Sequence, residues 1–408
     1  MKFPFKLPLL LDGATGSNLI ARGLQTGACV EEWVIENSEI AAKLQQEFIL
    51  AGSDVIYAPT FSANRAKLSQ YNLEEKVEEF NKKIVENSKK TAAGKVLVAG
   101  DISPTGEFVE PFGDLTFLEL IDIYFEQAKA QKAAGADLFA IETMMSLTEI
   151  RAAVIACKRC DLPIFVTVTV DEYGRTLTGA TALSALISLQ GMGIAAFGLN
   201  CSCGAEEMAE IIKELTPFSS IPIIAKPNAG QPDEDGNYGL SPKKMAEEME
   251  KILENGATIL GGCCGSTPEH IAEIRKVLDS FDFKKVSVEK QDLSLILANE
   301  TQVFYLSADG IELSEKLTCS VDMADELLEI SDTNIDAISV EILTQDDGYQ
   351  FGLNAHMAKL PVIFSCDNEQ ALSAALMYYN GRAMVDKNSA IPEEILKKIA
   401  DEYGAVTY

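Results

Sequence analysis

The segment "GGCCGS" (261–266) sets two adjacent cysteines, Cys263 and Cys264, between glycines and directly after the apolar run "ATIL". Neighbouring cysteines rarely join to each other, because a disulfide across a single peptide strains it. A third cysteine, Cys201, closes another apolar run, "IAAFGLNC" (194–201). Three thiolates from these positions make an open tetrahedral site. Sulfur favours zinc over magnesium or calcium, with Zn–S distances of about 2.3 Å and one corner left for water or substrate. Consecutive side chains on a strand point to opposite faces, so turning two neighbours toward one ion requires a kink, and glycine tolerates the unusual dihedrals. The competing reading of such a pair is small buried filler. The third cysteine, at the end of a second run, weighs against it.

Other groups narrow the chemistry. Asp12 and Glu142 also close apolar runs, and two carboxylates serve either as a general acid–base pair or as a seat for an ammonium group. The chain has only two histidines, too few for most histidine-based catalysis. His270 lies in "STPEHIAEIRKVL", where Thr267 reads as an N-cap and Pro268 as the first helical residue, which predicts a surface helix start. His356 has no cysteine cluster near it in sequence, and the G-x-S-x-G signature of a serine hydrolase is absent. Cys203 reads as a bystander, Cys157 and Cys160 as helix packing despite their C-x-x-C spacing, and Cys319 and Cys366 carry no assigned role.

Distant residues meet only if the elements bring them together. Short apolar runs recur at "LPLLLDGATG" (7–16), "SDVIYAPT" (53–60), "KVLVAGDIS" (95–103), "DLFAIET" (137–143), "PIFVTVTV" (163–170), "IAAFGLNC" (194–201), "IPIIAKPNAG" (221–230) and "ATILGGCCG" (257–265). Between them lie stretches such as "SEIAAKLQQEFILAG" and "KKMAEEMEKILENG", with apolar residues at helical spacing and a glycine where the helix should stop. Near-continuous apolar strands suit a parallel sheet covered on both faces, and this series fits a (β/α)8 TIM barrel. An open doubly wound sheet would carry a glycine-rich turn after its first strand, whereas "GMGIAA" (191–196) precedes one. Barrel chemistry sits where strands end, and Asp12, Asp101, Glu142, Asn200, Cys201, Asn228, Cys263 and Cys264 all close apolar runs. One intervening strand sets the Cys201 and Cys263 strand ends about 10 Å apart at the backbone, close enough for their side chains to converge.

Composition bounds the rest. At 408 residues the chain has room for one large domain and a smaller one. Apolar residues make up 47% and charged residues 24%, and no run is long enough to span a bilayer, so no membrane role is expected. The N-terminal "MKFPFKLPLLLDG" breaks at Asp12 without a small-residue cleavage site, so secretion is not expected. A formal charge of -28 repels phosphate backbones and argues against nucleic acid as a partner. Nine cysteines scattered through a long chain lack the density of a disulfide scaffold. A reducing, cytoplasmic setting follows.

The segments "LLDGATGSNL" (10–19), "SDVIYAPTFSANRAKL" (53–68), "AGDISPTGE" (99–107), "IET" (141–143), "GLNCS" (198–202), "KPNAG" (226–230) and "GGCCGSTPEHI" (261–271) resemble, in order, the motifs of the homocysteine S-methyltransferases. That family includes betaine- and S-methylmethionine-dependent enzymes and the N-terminal module of cobalamin-dependent methionine synthase. The resemblance implies that Cys201, Cys263 and Cys264 bind zinc and that Asp12 and Glu142 hold the amino group of homocysteine. It implies further that the backbone of Gly13, Ala14 and Thr15 in "GATGS" cradles the substrate carboxylate, with Asn200 among the substrate-binding residues. Methyl transfer to a metal-activated thiol needs no histidine base.

The motifs do not separate the methyl donors. The D-x-H-x-x-G motif of corrinoid-binding modules is absent, so a cobalamin donor must arrive on a separate protein, and S-methylmethionine or betaine is the alternative. After a charged connector (274–292), runs at 301–308, 336–343, 360–366, 382–386 and 404–408 read as a small α/β unit. The expected division is therefore 1–285 for the barrel and 286–408 for the second domain. The segment "LPVIFSCDNEQALSAALMYYNGRAMVD" faintly resembles part of a folate-binding barrel but is too short for a complete one. Docking or homo-oligomer formation is the preferred role for this unit. A non-catalytic subunit that binds homocysteine or zinc and a thiol redox sensor are the readings from other classes.

Overall fold

The computed structural model describes residues 3–233 and 238–408. Eight parallel strands, β1 (Leu9–Leu10), β2 (Val55–Ala58), β3 (Leu97–Ile102), β4 (Leu138–Met144), β5 (Ile164–Val168), β6 (Ala196–Asn200), β7 (Ile223–Lys226) and β8 (Ile259–Leu260), form one sheet in the order β1-β8-β7-β6-β5-β4-β3-β2. The two ends of that order meet. Asp54 N–H donates to Leu10 O at 2.6 Å, and Tyr57 N–H donates to the Asp12 carboxylate at 2.7 Å. The sheet therefore curls round on itself, and the expected (β/α)8 barrel is present.

Alternation along the strands explains why they read as nearly continuous apolar runs. One set of alternate residues, including Leu9, Val55, Ala99, Leu138, Ala140, Phe165, Ala196, Ile224 and Ile259, forms one buried cluster. The residues between them, such as Leu10, Ile56, Val98, Phe139, Ile141, Val166, Phe197 and Leu260, pack with the helices in another. Both faces are thus covered. The inward parity continues upward to Tyr57, Asp101, Glu142, Thr167, Asn200 and Lys226, all buried, so a polar layer caps the apolar interior.

Eleven helices fill the intervals: α1 (Thr15–Ile20), α2 (Val30–Glu36), α3 (Ser38–Leu50), α4 (Arg65–Ser69), α5 (Val77–Ala92), α6 (Phe117–Ala133), α7 (Leu147–Lys158), α8 (Ala182–Gln190), α9 (Ala205–Leu215), α10 (Pro242–Glu254) and α11 (Pro268–Ser280). Their starts follow capping chemistry. Thr116 and Glu119 make a capping box on α6, and Ser241 caps α10 with Pro242 in the first turn.

Beyond α11 the chain forms an antiparallel pair, β9 (Ile296–Ala298) with β10 (Val303–Tyr305), and a five-stranded parallel sheet in the order β11 (Leu317–Thr318), β12 (Ile338–Ile342), β13 (Val362–Cys366), β14 (Met384–Val385), β15 (Val406–Thr407). Helices α12 (Ala324–Ser331), α13 (Gln345–Asn354), α14 (Glu369–Tyr378) and α15 (Glu393–Tyr403) accompany it. The run at 301–308 therefore does not join the parallel sheet with the four later runs. Its strand is only half-buried, with Tyr305 61% exposed, and it pairs with β9, which the sequence reading did not single out.

The two sheets are joined through a buried cation. Arg151 of α7 is fully buried, and its guanidinium donates to Leu376 O at the end of α14 at 2.7 Å and to Gly381 O at 3.4 Å. Among the described residues no carboxylate accepts from it; a carbonyl in the last turn of α14, where the helix dipole is negative, and one just beyond it take that place. Asn380 Nδ2 adds a hydrogen bond to Thr148 Oγ1 at 2.7 Å.

Candidate metal and substrate site

Cys201, Cys263 and Cys264 come together at the top of the barrel. Their sulfurs lie within 4.8 Å of one another, with Cys201 Sγ 3.3 Å from Cys264 Sγ. The loop after β7 makes this possible by holding the loops on either side of it. Cys201 N–H donates to Lys226 O at 3.3 Å and Cys263 N–H to Pro227 O at 2.9 Å, while Asn228 N–H reaches Cys203 O at 3.1 Å and Ala229 N–H reaches Cys264 O at 2.9 Å. Residues 226–229 thus bridge the ends of β6 and β8, and the backbone sets the side-chain convergence.

The kink that two adjacent ligands require is distributed differently from the expectation. Gly265 has a φ of +78°, but Gly261 and Gly262 are not in the left-handed region. They are needed for space: a Cβ on Gly262 would stand 2.3 Å from Ser266 Oγ, and one on Gly261 would stand 2.9 Å from Leu11 Cβ. Two residues other than glycine are also left-handed at the site, Cys201, with φ 55°, and Thr143, with φ 61°. A β-branched residue there is uncommon and strained. Asn200 secures it, accepting from Thr143 N–H at 2.9 Å and donating to Thr143 Oγ1 at 2.8 Å, while its Nδ2 also lies 3.7 Å from Cys263 Sγ.

Charge is concentrated and unequal beside the sulfurs. Asp12, Asp101, Glu142 and Glu31 are buried with one lysine, Lys226. Lys226 Nζ donates to Glu142 at 2.6 Å and stands 3.8 Å from the centre of the Tyr57 ring. Burial opposes the charge on Lys226, yet Glu142 and its neighbours hold its pKa well above the ordinary lysine value. Burial pushes the Asp12 carboxyl up to about 7 against the pull of Lys226 and the Tyr57 N–H. Its other oxygen, Oδ1, has no hydrogen-bond partner among the described residues. Burial likewise raises Asp101, reinforced by Glu142. Hydrogen bonds donated by Cys201 and Cys263 pull the Cys264 thiol down to about 3, so the cluster concentrates thiolate character on one sulfur.

These groups line a cavity of about 240 Å3 that also includes residues 13–17. Within that segment the Ala14 N–H is already taken by Ser266, at 3.1 Å to Oγ. The Thr15 and Gly16 amides, at the start of α1, have no acceptor among the described residues. Lys226, Thr143 and Glu31 line the cavity too, and no role was assigned to them from sequence. Lys226 had a usable signal, since it falls two residues after Ile224 on β7 and so points inward. Glu31 had none. His270 corrects an expectation: it begins a helix but is buried, accepting from Thr267 N–H at 3.1 Å through Nδ1 and donating Nε2–H to Leu240 O at 2.9 Å.

Comparison with known proteins bears on the family and the fold. Residues 9–278 match the family described as homocysteine S-methyltransferase. The methionine synthases of Mycobacterium leprae and Mycobacterium tuberculosis are each 30% identical over 287 residues, covering 64% of this chain and 24% of theirs. The chain thus spans about a quarter of the length of these curated relatives. In fold, the homocysteine methyltransferase MmuM from Escherichia coli superposes with TM-scores of 0.58 in its oxidized form and 0.56 in its metallated form, at 23% identity over 66% of this chain and 95% of that one. Since the matched segment is well over half of the sequence and contains all eight barrel strands, the chain belongs to the homocysteine S-methyltransferase family.

Proposed function

We propose that the chain transfers a methyl group to the thiol of homocysteine, giving methionine, with a zinc ion held by Cys201, Cys263 and Cys264. The convergence of the three sulfurs carries this reading. Zn–S bonds of about 2.3 Å in a tetrahedron set sulfurs about 3.8 Å apart, and the present separations, all within 4.8 Å, need only a small adjustment. An all-thiolate donor set suits zinc. Bound there, the ion supplies the Lewis-acid chemistry that makes an incoming thiol a thiolate near neutral pH.

The remaining work falls to the chain's own residues. Asp12 presents its unpartnered Oδ1 to the substrate ammonium group, whose positive charge compensates the cost of keeping that carboxylate ionised. Glu142 supports the same group while bound to Lys226, which balances part of the negative charge. Of the Gly13, Ala14 and Thr15 backbone, the Thr15 amide, together with that of Gly16, faces the substrate carboxylate. Asn200 orients Thr143 and Cys263. The substrate sulfur then attacks the donor's methyl carbon in line, forming the new S–C bond as the donor departs, so the donor must enter through the barrel mouth.

We propose a methylated corrinoid carried on another protein as the donor, on the strength of the similarity to methionine synthases. S-methylmethionine or betaine is the alternative. We further divide the chain at 285/286 and place it in the cytoplasm; nine free cysteines support a reducing compartment. Among the described residues no helix is long and apolar enough to cross a membrane.

Metal analysis of the purified protein beside Cys263→Ser, with and without homocysteine, tests the centre. The expected outcome is one zinc per chain in the wild type, little in the variant, and a loss of methyl transfer of about a hundredfold or more. Assays with a methylated corrinoid protein, free methylcobalamin, S-methylmethionine and betaine then separate the donors. Failure with both corrinoid forms removes the first choice. Tight homocysteine and zinc binding without methionine from any donor would leave a binding subunit instead.

A further inference from the structure

The barrel and the C-terminal sheet enclose a second cavity, of about 310 Å3. Its walls come from the loops after β3, β4 and β5 on the barrel side and, on the other, from the turn between β9 and β10, the end of α13 and the turn after α14. Its loops follow β3 and β4, whose C-terminal ends carry Asp101 and Thr143 into the thiol site, but among the described residues the two cavities share no lining residue.

The lining specifies its own occupant. Glu107, Glu110, Glu149 and Glu300 face the cavity, and among the described residues no lysine or arginine does; Lys67 Nζ approaches Gly106 without lining it. Glu149 is committed through Oε1, which accepts from Thr105 N–H, the Thr105 hydroxyl and the Tyr124 hydroxyl. Glu110 accepts from Tyr349 OH at 2.9 Å. Glu300 accepts from the Thr178 hydroxyl, and burial pushes its carboxyl up to about 7, so a cation beside it would favour its ionised form. Asn380, in the same lining, has a buried Oδ1 that accepts from nothing among the described residues. The lip carries two phenylalanine rings, Phe108 and Phe112, 72% and 70% exposed, with Phe112 edge-on to His356 at 5.1 Å. Exposed aromatic faces beside half-buried carboxylates, Glu110 and Glu300, suit a cation with a greasy body.

We propose that this cavity is an accessory binding site for a small organic cation with an apolar body, in class a quaternary ammonium or alkylamine, held by Glu300 and Asn380 and covered by Phe108 and Phe112. The C-terminal sheet then completes a site that the barrel alone leaves open. This inference stands apart from the methyl-transfer reading.

Calorimetric titration of the full chain with choline, tetramethylammonium and butylamine tests it, beside 3,3-dimethylbutan-1-ol as the uncharged counterpart of choline. At least one cation is expected to bind with a single site while the neutral alcohol does not saturate. Glu300→Gln is expected to weaken binding about tenfold or more, and Phe108→Ala, at an exposed position that does not threaten folding, about threefold. Cys263→Ser is expected to leave the affinity unchanged, which keeps this result separate from the fate of the metal centre. Absence of binding by all three cations, equal binding of the alcohol, or loss of binding in Cys263→Ser would each overturn the proposal.

Discussion

Asp12 shows how a single residue carries both a cost and a use. Its carboxyl is held at about 7 against an ordinary 3.8, because burial disfavours its charge. Between those values the folded protein keeps a proton that the unfolded chain has released, so stability without substrate falls as pH rises from about 4 to about 7 and levels off beyond. Asp12→Asn is expected to flatten that slope and to raise stability on the alkaline side by on the order of 2 kcal/mol, read as urea midpoints across a pH series. The same change is expected to raise the KM for homocysteine about tenfold or more. An unaltered KM would remove Asp12 from the substrate site. At this scale the sequence was most informative where residue type and strand end coincided: the three cysteines and Asp12 each close an apolar run. It was silent on Glu31, which reaches the cavity from a helix, and on Thr143, whose left-handed backbone depends on a hydrogen-bonding partner 57 residues away.

Strands transmit the sequence pattern to the site through their alternation. Gly198, in the middle of β6, shows how little slack there is: a Cβ there would lie 1.9 Å from Ile224 O on β7. Gly198→Ala is expected to push β6 from β7, costing about 3 kcal/mol, and to loosen Cys201 with it. Thermal unfolding and zinc stoichiometry measured on one preparation check both effects, and an unchanged melting temperature would contradict the first. All eight barrel strands were legible because each is buried on both faces and bounded by turn residues. β9 and β11 were not singled out, and β11, with Leu317 buried and Thr318 exposed, belongs to no apolar run of the kind that frames β1 and β8. The run at 301–308 misled for a related reason, since composition alone does not tell which sheet a half-buried strand will join.

At the scale of the whole molecule, the barrel and the C-terminal sheet share Arg151. Arg151→Met would leave Leu376 O and Gly381 O without their donor and is expected to cost about 3 kcal/mol. Calorimetry is expected to show one transition for the wild type and two for the variant; a single unshifted transition would mean the join does not depend on this residue. Sequence reading found the second unit but not this clasp, because an arginine inside "EIRAAVIACKRC" looks like any helix-surface charge until its neighbours are known. Being buried and directed at carbonyl oxygens, the clasp lies beyond the reach of dissolved ions, which screen only exposed charges. Raising the ionic strength should therefore weaken the long-range attraction between a chain of net charge -28 and any positively charged partner while the two sheets stay together. A salt series thus separates encounters between molecules from cohesion within one.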